Sequence, residues 1–347
     1  MTIIRIGLDT AKHVFQVHGV DDGEQPVVRR QLRRSEIETF FGKLPPTRIG
    51  LEACGASHHW ARVLGGLGHD VVLLPPQYIK PYIKRGKNDA IDAWAFSPRA
   101  CPVGAICEAM SRPGMRFVAI KSAEQQAGLM LLRVRDLLVK QRTMLINAIR
   151  GHAAEFGVTA AKGPVKVSEL LQRARAEETG LPALARDMLG VLSGQLDGIG
   201  VRLKALESEL MALHKHNQLS QCLATQPGIG PIGALNFALK VTDPQGFRSA
   251  RHFSAWLGLT PKENASGGRR RPGRISRQGD EALRQLLVLG ATARIRFAKP
   301  GRASAWLIDL LARRPKKLAA IALANKMARA LWAMMVSGEV YRQPKAA

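Results

Sequence analysis

Two short phrases near the N-terminus end an apolar run on an acid: Arg5-Ile6-Gly7-Leu8-Asp9-Thr10 and Arg48-Ile49-Gly50-Leu51-Glu52-Ala53. An ionised carboxylate at the end of a buried strand is costly unless it is paired or holds a cation. Each acid alone also reads as a turn or cap residue, Asp9 beside Thr10 in particular. A third phrase, Lys87-Asn88-Asp89-Ala90-Ile91-Asp92-Ala93, sets two acids three residues apart, which share a face if the segment is helical. A divalent cation would relieve their repulsion. So would solvent at a helix N-terminus, where acids suit the dipole, and for this pair by itself the second reading is the stronger. Taken together, the four carboxylates are the hard oxygen ligands that Mg²⁺ or Mn²⁺ takes. Two such ions about 3.5–4 Å apart can stabilise both the attacking and the leaving oxygen of an in-line phosphodiester displacement.

A second constellation runs from Asn264 to Asp280. It holds Ser266-Gly267-Gly268 followed by Arg269, Arg270, Arg271, Arg274 and Arg277, with no acid among the arginines. Arginine binds phosphate bidentately and keeps its charge at any relevant pH. Ser266 beside such a cluster could attack a phosphodiester while the arginines stabilise the developing charge. The alternative is a passive phosphate-binding loop in which Ser266 only donates a hydrogen bond. Ser276 is the competing serine.

The frame that must position the acids reads as mixed α/β. Strands are expected over Ile3–Leu8, Val14–Val20, Val27–Leu32, Arg48–Ala53 and Asp70–Leu74. Helices are expected over Ser35–Phe41, with a Ser35/Glu38 capping box, and over Ser57–Leu67, ended by Gly68. From Ser122 to about Arg150 the pattern turns helical, with Leu131, Val134, Leu138, Leu145 and Ile149 on one face. Leu203, Leu206, Leu210 and Leu213 are spaced as in a coiled-coil seam, or as on an amphipathic helix packed against the body. Pro227-Gly228-Ile229-Gly230 resembles the turn of a helix-hairpin-helix, which can present backbone N–H groups to phosphate; a plain packing turn fits as well. Residues 262–284 read as a polar, Gly- and Arg-rich segment, with helices over most of the remainder.

The bulk numbers narrow the partners. The chain has 347 residues, enough for two or three domains, and 46% of them are hydrophobic. Lys plus Arg number 52 against 27 Asp plus Glu, a net charge of +25, and the pI is about 10.8. Such a surplus sits on the surface and attracts polyanions, nucleic acid first. No apolar run is expected to approach the ~20 residues that span a bilayer, and the N-terminus enters a strand at once, so a cytoplasmic protein without a membrane partner is expected. Cys54, Cys101, Cys107 and Cys222 match no zinc or disulfide spacing and read as buried reduced thiols.

The ordered motifs resemble those of DEDD transposases, the one-ten family of insertion-sequence enzymes related to the Piv invertases. The resemblance rests on Gly7-Leu8-Asp9-Thr10-Ala11-Lys12, Gly50-Leu51-Glu52-Ala53-Cys54-Gly55, Lys87 to Ala93, Arg112-Pro113 through Val118, and Lys121 to Gln126. In the second half it rests on Pro227 to Gly230, Phe253 to Pro261, Ser266-Gly267-Gly268 and Ile275 to Asp280. It covers nearly the whole chain. It implies a RuvC-like, ribonuclease H type mixed sheet with helices, a helical coiled-coil middle and a mostly helical C-terminal domain. The implied boundaries are residues 1–156, 157–219 and 220–347. By motif position, the resemblance puts the catalytic, metal-binding tetrad on Asp9, Glu52, Asp89 and Asp92 and the catalytic serine on Ser266. Lys12, Lys87, Arg269, Arg270, Arg271, Arg274 and Arg277 would contact nucleic acid. It further implies Mg²⁺ or Mn²⁺ as cofactor, DNA and a structured guide RNA as partners, and a homo-oligomer, dimer or tetramer. In such an oligomer a composite site joins the acids of one subunit to the serine of another, and strand exchange passes through a covalent phosphoserine.

One departure stands out. Residues 94–104, with Pro98, Pro102 and Gly104, intervene between the fourth acid and the Ala105-Ile106-Cys107-Glu108-Ala109 phrase, where the family's helix runs on directly. Two other readings therefore stay open: a structure-selective nuclease of the Holliday-junction resolvase kind, which would not need Ser266, and an inactive nucleic-acid-binding remnant.

Overall fold

The computed structural model describes residues 2–10, 13–82, 102–163, 165–176, 180–266, 269–301 and 303–342, with 102, 263–266 and 269–272 described by their backbone only. The chain divides into two compact units, Met1–Gln126 and Ala127–Ala347.

The first unit is built on a five-stranded sheet of β1 (Arg5–Thr10), β2 (Val14–Val20), β3 (Pro26–Arg33), β4 (Arg48–Glu52) and β5 (Asp70–Leu74). Their order is β3-β2-β1-β4-β5. β1, β2 and β3 form an antiparallel meander, and β4 and β5 add to β1 in parallel. The parallel strands follow crossovers through α1 (Ile37–Phe41) and α2 (Ser57–Gly66), the connection that parallel pairing requires. One face of the sheet buries Ile6, Leu8, Phe15, Ile49, Leu51 and Leu73 against both helices. The expected capping box is displaced. The chain turns through a 3₁₀ segment, Arg34–Glu36, and Glu36 rather than Glu38 accepts from the Arg33 N–H at 2.6 Å. Ser35 falls inside that turn and caps nothing.

The other face carries α3 (Pro76–Ile79) and α4 (Pro102–Ser111). The last residues of the expected 94–104 insertion are thus helical: α4 begins at Pro102, since proline fits the first helical turn, where no N–H partner is needed. The rest of that segment lies outside the described residues.

In the second unit, α5 (Ala123–Ala154) and α7 (Ala183–Lys215) lie antiparallel, with α6 (Val165–Arg175) packed at one end. The Arg135 guanidinium reaches Glu207 at 2.8 Å, and Leu129 and Leu132 meet Leu210. The α7 seam therefore packs inside the chain through Leu203 and Leu210. The expected α5 stripe holds in part: Ile149 is buried and Leu131, Leu138 and Leu145 are half-buried, whereas Val134 stays 37% exposed and Leu129, Leu132 and Ala153 join the buried face. Apolar residues run around more than one face of this helix, and packing against α7 selects among them.

The remaining elements are α8 (Gln218–Ala224), α9 (Pro231–Lys240), α10 (Ala250–Trp256), β6 (Pro261–Ser266), β7 (Arg269–Ile275), α11 (Glu281–Arg296), α12 (Ala305–Arg313) and α13 (Lys316–Ser337). Helix α13 runs through their core, burying Ala319, Leu323, Met327 and Leu331. Contrary to the sequence expectation, α13 is long and apolar enough to cross a membrane by length and composition, because alanines dilute its few charges; half of that stretch is buried within the protein. Within the segment expected to be polar and Gly- and Arg-rich, β6 and β7 pair antiparallel.

Candidate active site

Asp9 and Glu52 stand at neighbouring strand ends because β1 and β4 are adjacent. β1 and β4 pair in parallel with Leu8 opposite Leu51, so each acid is the next residue along. Side chains alternate along strands, which sets both acids on the sheet face of Gly7 and Gly50, two residues earlier. That face explains the glycines. A Cβ on Gly7 would collide with the Val103 carbonyl, and one on Gly50 with the Met110 side chain. The glycines let α4 lie directly on the sheet, and the acids stand where its cover ends. The repeated Arg-Ile-Gly-Leu-acid phrase carried this signal, but sequence reasoning used only the acids.

Both acids are half-buried. Burial pushes the Asp9 carboxyl above its ordinary range, partly offset by a backbone hydrogen bond at Thr10. Among the described residues, no ion pair involves Asp9 or Glu52. Thr10 Oγ1 lies 3.3 Å from Cys54 Sγ, joining the two strand ends. Cys54 is exposed and Cys222 half-buried, so of the described cysteines only Cys107 is the buried thiol expected. The loop after Glu52 is tightened by Ser57, whose hydroxyl accepts from the Cys54 N–H at 3.1 Å.

Asp89, Asp92, Lys12 and Lys87 lie outside the described residues. Among the described residues, no group of three or more His, Cys, Asp or Glu could hold a metal ion. Among the described residues, Asp9 and Glu52 offer carboxylates, the hard oxygen donors that divalent cations take, at neighbouring strand ends.

In the second unit, Ser266 is the last residue of β6 and stands opposite Arg269, the first of β7; Ala265 faces Arg270, and Asn264 faces Arg271. Two strands separated by Gly267-Gly268 match the two-residue hairpin signature, a signal the sequence reading passed over. Arg274 and Arg277 are exposed. Arg277 takes a left-handed conformation, φ +57°. Ser276 sits at the opposite end from Ser266, where its N–H donates to the Thr260 carbonyl at 2.9 Å.

The base of the hairpin is tightly clamped. Gly279, at φ +74°, has no room for a Cβ against the Trp256 carbonyl, and Gly258, at φ +70°, none against Gln278. Arg284 donates to the carbonyls of Leu257 and Gln278 at 3.0 and 2.8 Å. Asp280 caps α11 by accepting from the Leu283 N–H at 2.9 Å, and Lys240 Nζ donates to both of its oxygens at 3.0 and 2.9 Å. The phrases Trp256 to Pro261 and Ser276 to Asp280 thus form the base of the hairpin, and Ser266 lies at the other end of its ladder. The glycine turn at Pro227–Gly230 packs Gly228 against Gly290 of α11 and leads into α9.

Comparison with known proteins places the chain among mobile-element enzymes. A family model described as Transposase IS116/IS110/IS902 family matches residues 220–306. A second, a transposase model of the DEDD type of IS110, matches residues 6–157. A Sinorhizobium fredii protein carrying a transposase name is 52% identical over 98% of this chain and 86% of its own length. A Pseudomonas aeruginosa protein named as a family 20 transposase is 46% identical over 99% of each chain. The transposase for insertion sequence element IS1111A of Coxiella burnetii is 38% identical over 97% of this chain and 91% of its own.

Proposed function

The chain belongs to the IS116/IS110/IS902 transposase family, and from that premise we propose that this DNA transposase exchanges strands through a metal-binding tetrad of Asp9, Glu52, Asp89 and Asp92 and a nucleophile, Ser266. The observation that carries the reading is the pairing of β1 with β4, which sets Asp9 and Glu52 side by side on one sheet face. The strand order β3-β2-β1-β4-β5 supports a ribonuclease H type, RuvC-like first domain. The matches to residues 6–157 and 220–306 support a division at 1–156, 157–219 and 220–347.

In the proposed reaction the Ser266 hydroxyl attacks a DNA phosphodiester. The Ser266 Oγ–phosphorus bond forms as the bond to the leaving sugar oxygen breaks, and that oxygen takes up the proton. A hydroxyl of the second strand then displaces Ser266, restoring the serine and joining the strands. Arg269, Arg270, Arg271, Arg274 and Arg277 neutralise the phosphate during both steps. Asp9, Glu52, Asp89 and Asp92 would hold Mg²⁺ or Mn²⁺, which when bound would supply charge against developing oxyanions. Ser266 at the free end of the hairpin suits this role better than Ser276, which the clamp engages. The net charge of +25 supports a structured guide RNA beside the DNA, with Lys12 and Lys87 among the contacts, in a cytoplasmic complex.

Homo-oligomerisation is supported by an outward stripe on α5. Met130, Val134, Leu137, Gln141, Met144 and Ala148 follow the four-three spacing of a heptad, and Met130, Leu137 and Met144 are 66%, 54% and 69% exposed.

Covalent trapping tests the mechanism: protein, element-end DNA, Mg²⁺ and RNA from the element's flanks, with adducts resolved on a denaturing gel. Wild type is expected to form an adduct that Ser266→Ala and Asp9→Asn both lose, with strand transfer falling at least about a hundred-fold. Asp9→Asn should at the same time raise the melting temperature, because it removes a half-buried charge. Strand cutting retained by Ser266→Ala would make the chain a nuclease of the resolvase kind. DNA binding without adduct or cutting in wild type would make it an inactive remnant.

A further inference from the structure

The second unit holds a cleft of about 820 Å³ that the catalytic reading does not use. Its size lies within the roughly 300–1,000 Å³ of small-ligand pockets. Arg294, Lys326 and Arg342 line it together with Trp306 and Tyr341. Arg294 and Tyr341 continue into a neighbouring cleft that is bordered by the Pro227-Gly228 turn and by Phe297, a ring left 70% exposed. Among the described residues, Glu339 is the one acid lining the first cleft, and it lies 3.5 Å from Arg342. Lys326 Nζ sits 4.5 Å from the centroid of the Trp306 ring. Gln226 closes the inner wall: it is 2% exposed, and its carboxamide oxygen has no hydrogen-bond partner among the described residues.

A buried polar atom without a partner is costly, and native structures rarely keep one unless something fills the role. Aromatic rings alternating with cations, around a wall that offers one unused hydrogen-bonding group, suit a nucleotide. Its base stacks on the rings, its phosphate meets the cations, and its edge reaches the amide. A duplex hides its bases, so the ligand that fits is unpaired. We infer that this groove binds a single-stranded segment of nucleic acid and takes one unpaired base into the cleft beside Gln226. The site requires neither the acids nor Ser266. The phosphodiester and base chemistry is shared by DNA and RNA, and the test separates them.

The full chain is incubated in EDTA with short single-stranded DNA, RNA of the same sequence, or blunt duplex, each containing one photoreactive iodinated pyrimidine. Adducts are mapped by peptide mass spectrometry. Cross-links from a single strand to the peptides of Phe297, Trp306 or Tyr341, absent with duplex, are expected; whichever of DNA or RNA links identifies the strand. Lys326→Gln and Trp306→Ala should weaken single-strand binding by roughly five- to a hundred-fold, and Trp306→Phe should restore most of it. Gln226→Leu should change the preference among bases in the cleft. If Trp306→Ala fails to fold, Phe297→Ser and Lys326→Gln decide by the same criterion. Cross-links confined to other peptides, equal competition by duplex, or wild-type affinity in these variants would overturn the inference. Asp9→Ala should cross-link like wild type while losing strand transfer, so strand transfer retained by this variant would count against the catalytic reading alone and leave the inference about the cleft standing.

Discussion

At the residue scale, the sequence shows which groups could do chemistry better than it shows what their neighbours make of them. Asp9 and Glu52 announce themselves as acids at strand ends, yet their shared face depends on Gly7 and Gly50, which admit α4. His58 attracts no attention in the sequence and turns out to brace α2 against the segment before α5. Its Nδ1 accepts from the Lys121 N–H at 3.2 Å, and Arg62 beside it donates to the Lys121 carbonyl at 2.6 Å. Burial first, then the charges of Lys121 and Arg62, lower its pKa from 6.5 to about 4. The unfolded chain binds a proton at His58 in this window and the folded chain does not, so stability rises with pH across it. This contribution is complete above pH 6.5 and is lost as the pH falls toward about 4. Thermal melts of wild type and His58→Gln over that range should show a shallower slope in the variant; parallel slopes would remove His58 from the account.

At the scale of elements, the hairpin β6–β7 depends on backbone approach. Gly258 and Gly279 both take positive φ, and both abut main chain rather than flexible side chains. Neighbouring backbone cannot give way as a side chain would, so a methyl group there must be absorbed by distortion. Gly279→Ala is expected to lower stability by roughly 1–3 kcal/mol, read as an earlier urea midpoint with an unchanged slope. The same variant should impair strand transfer more than duplex DNA binding, since it loosens the mounting of Ser266 while leaving the surface cations in place. A wild-type midpoint would show that the clamp is not needed.

For the whole molecule, charge and exposed apolar surface say what the chain meets. A net charge of +25 on a transposase is answered by nucleic acid. The α5 stripe is answered, on the reading above, by another copy. Leu137→Glu combined with Met144→Glu should shift the molar mass from light scattering to that of a monomer, with the helical circular dichroism unchanged. Unaltered mass would remove this face from the assembly.

What the sequence by itself determined is what local patterning encodes: the five strands nearly to their ends, the long helices, the basic character, and the motif order that marks the family. Apolar alternation and glycine punctuation are properties of adjacent residues, so they can be read without a fold. Tertiary packing decided the rest. The α5 face turned toward α7 because several apolar faces competed, and only contact could choose among them. The Ser35 cap gave way to Glu36 because the chain had to leave β3 through a tight turn. Ser266 and Ser276 are equivalent as letters beside arginine, and the ladder alone separates a hairpin end from a clamped base. The cleft at Gln226 draws on residues from 226 to 342. Their meeting is a matter of long-range packing, which no local spacing records.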